Sequence, residues 1–246
     1  MAAISVYAIA DIHGEYDLFM ELLDKIALKD SDTLYVIGDV VDRGPHPVKV
    51  LQQMMLMPNV IPLAGNHELM AMECLNFLNE EITDESIASL EPEMLDNLLV
   101  WQKNGSASTL DEFTRLDPEE RLDILDYLSE FQLYEQVQVN GQKYLLVHAG
   151  LGGYMPQRPL DSYTPAELLW TRADYDTCYF DDVLVISGHT PTQLIEDNPR
   201  PGYIYWANNH IAIDCGACFE GGRLAAYCLD TGEEFYAEHP VNEKES

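Results

Sequence analysis

The sequence predicts an α/β protein, because short strand-like runs alternate with stretches of helical spacing in its first part. Apolar runs at Val6–Ala10, Leu34–Ile37 and Val60–Ala64 are rich in β-branched or aromatic residues and are too short for helices. Between them, Glu15–Ile26 and Pro47–Met57 carry apolar residues at helical spacing. This alternation predicts a largely parallel sheet with helices on its faces.

The middle of the chain has a helical and strongly acidic character. From residue 69 to about residue 131 the apolar residues follow helical spacing, and Pro92 and Pro118, each followed by acidic residues, mark fresh helix starts. We interpret this stretch as an acidic helical insertion that packs over one edge of the sheet.

The last part of the chain returns to strands. Asn140-Gly141 lies between the strand-like runs Val137–Val139 and Tyr144–Val147, which predicts a hairpin. A short helix at Pro165–Trp170, a strand at Val183–Ile186 and then antiparallel strands are also predicted. Since 47% of the residues are hydrophobic and no linker divides the chain, we predict one domain over residues 1–240 and a polar tail at residues 241–246.

The charge of the chain restricts its partners. It has 13 Lys and Arg residues against 43 Asp and Glu residues, a formal net charge of −30. Such a field repels nucleic acid and anionic membranes, so neither is an expected partner. The chain has no long apolar run and no basic leader, and its five cysteines, an odd number, imply no disulfide framework. These features predict a cytoplasmic protein.

The observation that points to function is a recurrence at strand ends. Five times a short apolar run ends and potential metal ligands follow at once. The five following segments are Asp11-Ile12-His13-Gly14, Gly38-Asp39-Val40-Val41-Asp42-Arg43-Gly44, Gly65-Asn66-His67-Glu68, His148-Ala149-Gly150 and Gly188-His189-Thr190. Because ligands bind outside the carboxyl ends of strands in an open α/β sheet, we expect these segments to converge.

Convergence would gather carboxylate, amide and imidazole donors, a set suited to divalent ions such as Mn, Fe or Zn, with Mn favoured. The six candidate ligands are Asp11, His13, Asp39, Asn66, His148 and His189. Six protein ligands exceed the needs of one tetrahedral zinc and suit two ions with a bridging carboxylate. Two such ions can clamp a phosphoryl group and generate hydroxide for in-line attack.

These segments resemble the calcineurin-like metallophosphoesterase superfamily, and within it the phosphoprotein phosphatase family of serine/threonine phosphatases. The family pattern reads G-D-x-H-G, G-D-x-V-D-R-G, G-N-H-E, H-A-G and G-H-T. Four of the five motifs occur in full, and Ala10 stands at the first position of the other. The resemblance implies a metallophosphoesterase fold, with central mixed β-sheets flanked by helices.

The resemblance also implies a role for each matching residue. Asp11 and His13 would hold one metal, and Asp39 would bridge to a second metal held by Asn66, His148 and His189. His67 would be the general acid, oriented by Asp42. Arg43, Asn66 and Arg172 would contact the phosphoryl oxygens, with Arg172 in a Trp-x-Arg context found in bacterial relatives. Glu68 is expected to support its loop, and His46, His210 and His239 follow no motif and are expected to be ordinary loop or structural residues.

Three functions are consistent with these residues. The favoured one is hydrolysis of phosphomonoesters by a serine/threonine protein phosphatase, whose substrate is a phosphorylated protein or a small phosphoester. The alternative is symmetric hydrolysis of diadenosine tetraphosphate, which we rank second because a polyphosphate should need more basic residues than this chain has. A non-catalytic metal or phosphate sensor is a third, but it predicts the loss of a ligand, the acid or the phosphate arginine, and all of these are present.

Overall fold

The computed structural model describes residues 4–79 and 92–240, so the predicted polar tail at 241–246 and residues 80–91 of the predicted insertion lie outside the described part. Two five-stranded mixed sheets flanked by helices confirm the predicted α/β fold. The elements are, in chain order, β1 (Val6–Ile9), α1 (Tyr16–Lys25), β2 (Thr33–Ile37), α2 (Pro47–Met55), β3 (Val60–Leu63), α3 (Asn66–Asn79), α4 (Pro92–Lys103), α5 (Ala107–Arg115), α6 (Pro118–Ser129), β4 (Tyr134–Val139), β5 (Gln142–Val147), α7 (Pro165–Leu169), β6 (Val183–Ser187), β7 (Tyr205–Ala207), β8 (His210–Ala212), β9 (Arg223–Cys228) and β10 (Glu234–Glu238).

The first sheet has the strand order β10-β9-β1-β2-β3. Strands β1, β2 and β3 are parallel and in close register, with Ile9 opposite Val36 and Ile37 opposite Leu63. Strands β9 and β10 are antiparallel and extend the sheet on the β1 side. The register brings the carboxyl ends of β1, β2 and β3 to the same edge, where the first three motifs begin.

The second sheet has the order β4-β5-β6-β8-β7, with β5, β6 and β8 parallel and β4 and β7 antiparallel at its edges. The parallel pairing predicted from the first part of the chain is confirmed for β1, β2 and β3, and the later strands make both sheets mixed. Strands alternate with helices only in the first part of the chain, and tight turns at Asn140-Gly141, Asn208-Asn209 and Asp230–Gly232 join later strands as antiparallel hairpins. The predicted antiparallel character of the last strands needs a correction at β8, which pairs in parallel with β6.

The two sheets pack face to face over a shared apolar core. This core joins Ala8, Ile37 and Leu63 of the first sheet to Leu146 and Ile186 of the second, all of them buried. Helices α1 and α2 cover the outer face of the first sheet, and α7 packs on the outer face of the second. The packing aligns the carboxyl ends of parallel strands from both sheets along one rim.

The helical stretch packs beside β3, the edge strand of the first sheet, where Leu63 pairs with Gln132. Helix α6 begins at Pro118, as predicted, and the described part of α4 runs from Pro92. The start of α6 is closed by a capping box in which the Asp117 side chain accepts hydrogen bonds from the backbone of Glu119 and Glu120. Within the described ranges, no helix combines the length and apolar character needed to cross a membrane.

Candidate metal centre

The structure brings the five predicted strand-end segments together at the rim between the sheets. The Asp11 backbone N–H donates to the Gly38 carbonyl at 3.1 Å, which joins the first two segments. The Gly188 N–H donates to the His148 carbonyl at 2.9 Å, which joins the last two. The two sheets are linked by His148, whose Nδ1 lies 3.0 Å from the carbonyl oxygen of Ile37.

Asp39 lies at the centre of this arrangement. Its Oδ1 is 3.3 Å from Nε2 of His148, and its Oδ2 is 3.5 Å from Nε2 of His13 and 3.9 Å from Nε2 of His67. Two groups of potential ligand atoms follow, one from Asp39, His13 and His67 and one from Asp39, His148 and His189. In each group the ligand atoms lie within 4.8 Å of one another, and Asp39 belongs to both.

Asn66 and Asp11 complete the predicted ligand set. The Asn66 Oδ1 atom lies 3.1 Å from Nε2 of His148 and 2.9 Å from Nδ1 of His189. Both carboxylate oxygens of Asp11 accept a hydrogen bond from the His189 backbone N–H, at 3.1 and 3.0 Å. All six predicted ligands therefore lie in one cluster, although the first ligand group contains His67, which the sequence analysis assigned to proton transfer.

Backbone carbonyls orient two of the imidazoles. Nδ1 of His13 lies 2.9 Å from the Val41 carbonyl, and Nδ1 of His148 lies 3.0 Å from that of Ile37. With the proton on Nδ1, Nε2 of each ring is unprotonated and directs its lone pair towards the centre. Metal-ligating histidines have this arrangement. Burial lowers the pKa of His13 to about 3 and that of His189 to about 4, which keeps these rings neutral and able to bind a metal.

The two carboxylates of the centre differ in how far protein groups compensate their negative charge. Burial, together with Asp214 and Asp39, raises the pKa of Asp11 well above its usual range. Burial would also raise the pKa of Asp39, but the surrounding imidazoles, His148 first, hold it well below that range. A dry cluster of carboxylates, imidazoles and an amide fits divalent cations, because bound cations would stabilise the ionised carboxylates.

Asp214 is a site residue that the sequence analysis missed. Its side chain is buried and accepts a hydrogen bond from the Gly216 backbone N–H at 2.9 Å, and burial raises its pKa to about 6. A signal for it exists in the sequence, because the apolar run of β8 continues to Ile213 and a potential metal ligand and a glycine follow, as in the other five segments.

Glu68 ties two of the segments to each other. Its carboxylate accepts hydrogen bonds from the backbone N–H groups of Gly65 and Asp39 at 2.7 and 2.8 Å, and of Val40 and Val41 at 2.8 and 3.2 Å. These contacts agree with the structural role predicted for it, since one buried carboxylate satisfies four loop donors.

The predicted acid, His67, is buried and paired with Asp42, whose Oδ2 lies 2.6 Å from Nδ1 of the imidazole. Asp42 is itself held by two side chains of the helical stretch. Trp101 donates to Oδ2 at 2.8 Å, and Thr109 donates to Oδ1 at 2.6 Å. Sequence reasoning did not identify either residue, because neither belongs to a motif and both are more than fifty positions from Asp42.

Both predicted phosphate arginines lie at the cavity beside the centre. The Arg43 guanidinium donates from Nη1 towards Nε2 of His13 at 2.8 Å and from Nη2 towards Nε2 of His67 at 3.0 Å. Arg172 is exposed and lines, with Arg43, Asn66 and His189, a cavity of about 380 Å³. Its segment is fixed to the His148 loop, where the Gly150 N–H donates to the Thr171 carbonyl at 2.7 Å.

Two motif glycines leave room for the carboxylates. A Cβ atom on Gly65 would collide with Oδ1 of Asp39, and one on Gly188 would collide with Oδ2 of Asp11. Neither glycine has a positive φ, so it is the close approach of a carboxylate that requires the missing side chain.

Backbone strain is concentrated at the same place. Ten non-glycine residues of the described chain have a positive φ, and six of them belong to the segments of the centre, namely Asp11, His13, Asp39, Asp42, Arg43 and His189. Such conformations cost about 1–3 kcal/mol each and persist where the surrounding structure enforces them, which is typical of functional sites.

Residues 4–228 match the sequence pattern of the calcineurin-like phosphoesterases. The chain belongs to the calcineurin-like phosphoesterase family. It is thus a member of a family of metal-dependent hydrolases, and the match covers every segment of the centre.

Relatives of this calcineurin-like phosphoesterase include bacterial tetraphosphatases. The asymmetrical bis(5'-nucleosyl)-tetraphosphatase PrpE of Halalkalibacterium halodurans is 28% identical over 89% of this chain and 87% of its own length. The symmetrical bis(5'-nucleosyl)-tetraphosphatase of Baumannia cicadellinicola is 25% identical over 92% of this chain and 68% of its own length. Another symmetrical enzyme, from Acidovorax ebreus, is 32% identical over 60% of this chain and 44% of its own length.

Solved structures share the fold. A crystal structure described as that of a candidate diadenosine tetraphosphatase superposes with a TM-score of 0.65 over 98% of this chain and 96% of that protein, at 18% identity. A protein serine/threonine phosphatase from Saccharomyces cerevisiae superposes with a TM-score of 0.56 over 97% of this chain and 82% of that protein, at 15% identity. At these identities the likeness concerns the fold.

Proposed function

We propose that this calcineurin-like phosphoesterase hydrolyses dinucleoside tetraphosphates. The observation that carries the proposal is the similarity to bis(5'-nucleosyl)-tetraphosphatases over about nine-tenths of the chain. Every segment of the candidate centre lies within residues 4–228, which match the calcineurin-like phosphoesterase family. This reverses the ranking drawn from the sequence, in which a protein phosphatase came first.

Positive charge lies where a polyphosphate would bind, although the chain as a whole has few basic residues. Arg43 and Arg172 both line the cavity beside the centre, so the positive charge is local even though the chain is strongly acidic. Planar guanidinium groups can each grip two phosphoryl oxygens, which suits a chain of phosphates. A low count of basic residues over the whole chain therefore does not exclude a polyphosphate substrate.

The six clustered donors Asp11, His13, Asp39, Asn66, His148 and His189 would hold two divalent ions, with Asp39 shared. When bound, such ions supply Lewis-acid charge to a phosphoryl group and lower the pKa of water. Carboxylate, amide and imidazole donors suit manganese, which we propose as the preferred ion.

His67 would transfer the proton that the leaving oxygen needs. Its Nδ1 faces Asp42 and its Nε2 faces Arg43 and the cavity, so Nε2 would carry the transferable proton once the guanidinium turns from the ring to a phosphoryl group. The buried Asp42 carboxylate stabilises the protonated imidazole and fixes the ring, while Arg43 orients the phosphoryl group beside it.

A serine/threonine protein phosphatase is the second candidate, because the motifs G-D-x-V-D-R-G and G-N-H-E occur in full. The two candidate functions are distinguished by measuring kcat/KM on manganese-loaded protein of known metal content. The substrates are diadenosine tetraphosphate and phosphoserine and phosphothreonine peptides. We expect the dinucleotide to be the better substrate by at least about 10-fold, a difference of about 1.4 kcal/mol in transition-state binding. A higher kcat/KM for a phosphopeptide, or no release of nucleotide, would contradict the proposal.

Product analysis in the same assay assigns the bond that is cut. Symmetrical cleavage of diadenosine tetraphosphate releases only ADP, whereas asymmetrical cleavage releases ATP and AMP. The two relatives that match about nine-tenths of this chain are named for different cleavages, so the product ratio is the direct readout for this chain.

A further inference from the structure

Three large apolar side chains are exposed at the mouth of the cavity beside the metal centre. Trp170 is 38% exposed, Phe219 is 47% exposed and Leu194 is 62% exposed, and all three line the cavity that also holds Arg43 and Arg172. Single exposed apolar residues are common on protein surfaces, but a group of them around one charged cavity indicates a binding surface.

Backbone hydrogen bonds on either side of Phe219 fix the loop that carries its ring. The Phe219 N–H donates to the Gly216 carbonyl and its own carbonyl accepts from the Gly222 N–H, both at 2.9 Å. Gly216 adopts a positive φ of 72°, which lets this loop turn tightly. The ring centroid lies 5.8 Å from Cζ of Arg43, so an aromatic face and a guanidinium stand side by side.

Trp170 is fixed in a similar way at the end of α7. Its N–H donates to the Ala166 carbonyl at 3.2 Å, and the next residue, Thr171, is hydrogen-bonded to Gly150 of the His148 loop. The exposed indole is therefore carried by a segment anchored to a metal-ligand loop. Both rings are thus carried on hydrogen-bonded backbone, which reduces the backbone entropy lost on binding.

We propose that Trp170 and Phe219 form a nucleobase subsite, in which the base of a nucleotide stacks on these rings while its phosphates lie towards Arg43 and Arg172. This inference rests on the proposed function, since it names the part of the substrate that the rim recognises. Stacking on aromatic side chains is tolerant of base identity, because every base has a π-face. Leu194 supplies a further apolar wall to the same cavity.

The size and charge of the surroundings support one nucleotide rather than a whole dinucleotide. The cavity, at about 380 Å³, lies near the small end of the range for ligand sites. A second cavity of about 300 Å³ adjoins it at Arg172 and Leu194, and it is lined by four acidic residues, Asp174, Asp176, Glu196 and Asp197. These carboxylates repel a phosphate chain, so the phosphates are directed towards the metal centre.

The test compares two ligands that differ only in the base. Adenosine 5'-phosphate and ribose 5-phosphate are titrated calorimetrically into manganese-loaded wild-type protein and into the Trp170→Ala, Phe219→Ala and Trp170→Phe variants. In the wild type we expect the nucleotide to bind roughly 10- to 100-fold more tightly, the range set by stacking of one base. Each alanine variant should lose most of this preference, while Trp170→Phe should keep a large part of it.

Trp206→Ala is the matched control, since Trp206 is 45% exposed on β7 and packs edge-on against Tyr227, with ring centroids 5.4 Å apart. It should leave the preference intact. A misfolded variant would also lose ribose 5-phosphate binding, which identifies it. Equal affinities in the wild type, or a preference that survives both alanine variants, would overturn the subsite.

The outcomes also separate the subsite from the proposed function. A clear preference for the nucleotide without turnover of diadenosine tetraphosphate would contradict the function alone, and turnover without any preference would contradict the subsite alone. If a phosphoserine peptide lost more affinity than the nucleotide on Trp170→Ala, the rim would be a peptide-binding surface and the subsite would be wrong.

Discussion

Nδ1 of His67 lies 2.6 Å from Oδ2 of Asp42, and both side chains are fully buried. The two oxygens of Asp42 are held in turn by Trp101 of α4 and Thr109 of α5. The helical stretch that the sequence presented as an insertion thus fixes the carboxylate that orients the proposed acid. The packing of this stretch at the edge of the first sheet therefore affects proton transfer by His67 at the rim.

Removing the indole donor should weaken this pair without disturbing the metal ligands. Trp101→Phe deletes the hydrogen bond to Asp42 while keeping most of the buried apolar volume. We expect kcat for a substrate with a poor leaving group to fall about 10- to 100-fold, the usual effect of losing a supporting hydrogen bond behind a functional side chain. Trp206→Phe, on the surface, should have no such effect, and an unchanged kcat in Trp101→Phe would show that Asp42 needs no support from α4.

The role of His67 can be separated from metal binding, which matters because its Nε2 lies 3.9 Å from the shared Asp39. His67→Ala should lower kcat on an alkyl phosphate by about 10²- to 10⁴-fold, since general acid catalysis contributes that much, and should lower it less on p-nitrophenyl phosphate, whose leaving group needs no proton. Metal content measured on the same samples should stay at the wild-type value. Loss of a metal ion would instead identify His67 as a ligand.

The close approach of Gly65 to Asp39 predicts a strong effect of a single methyl group. In Gly65→Ala the new Cβ would collide with Oδ1 of Asp39, so we expect the bridging carboxylate to be displaced and metal content at limiting manganese to fall by about 10-fold or more. Gly221→Ala is the control, since nothing lies within 4 Å of a Cβ there and its positive φ of 75° costs stability only. Equal metal content in the two variants would show that the close approach of Gly65 to Asp39 does not matter for metal binding.

His210 predicts a dependence of stability on pH in the metal-free protein. The ring is fully buried, its Nε2 lies 2.7 Å from Oγ of Ser187, and burial lowers its pKa to about 3 from 6.5. Between these values the unfolded chain binds more protons than the folded one, so the free energy of unfolding rises with pH up to about 6.5. Asp214, whose pKa is raised to about 6 from 3.8, acts in the opposite direction between those two values.

The His210 contribution is measured by thermal unfolding of chelator-treated protein at pH 4.5 and pH 7, conditions chosen around these pKa values. We expect the difference in Tm between the two conditions to be smaller in His210→Gln, which does not titrate there. The same difference in Tm in both proteins would show that His210 does not contribute to acid sensitivity.

The sequence located most of the candidate centre because its ligands follow strands directly. Strand ends are recognisable from apolar runs, and parallel strands in register bring the following residues together, so the pattern alone points to Asp11, Asp39 and His148. Asp214 obeys the same rule but was missed, because it follows a strand of only three residues that lies close to the turn at Asn208-Asn209. Trp101 and Thr109 could not be found in this way, since their contact with Asp42 depends on how distant helices pack.

The sequence predicted the fold class but not the division of the strands between two sheets. The alternation of strands and helices identified the α/β class, but it did not show that β5 and β6 belong to a second sheet. The division depends on which strands pair across long sequence separations, and local patterns do not record that pairing. The rim is nevertheless the same, because both sheets direct the carboxyl ends of their parallel strands to it.

In the proposed centre, two divalent ions share Asp39. Anomalous scattering from crystals of this protein soaked in manganese tests this arrangement most directly. We expect two peaks about 3.5–4 Å apart, one on each side of the Asp39 carboxylate, the first near His13 and the second near His148 and His189. A single peak, or no peak beside Asp39, would contradict the shared carboxylate and the two-ion centre.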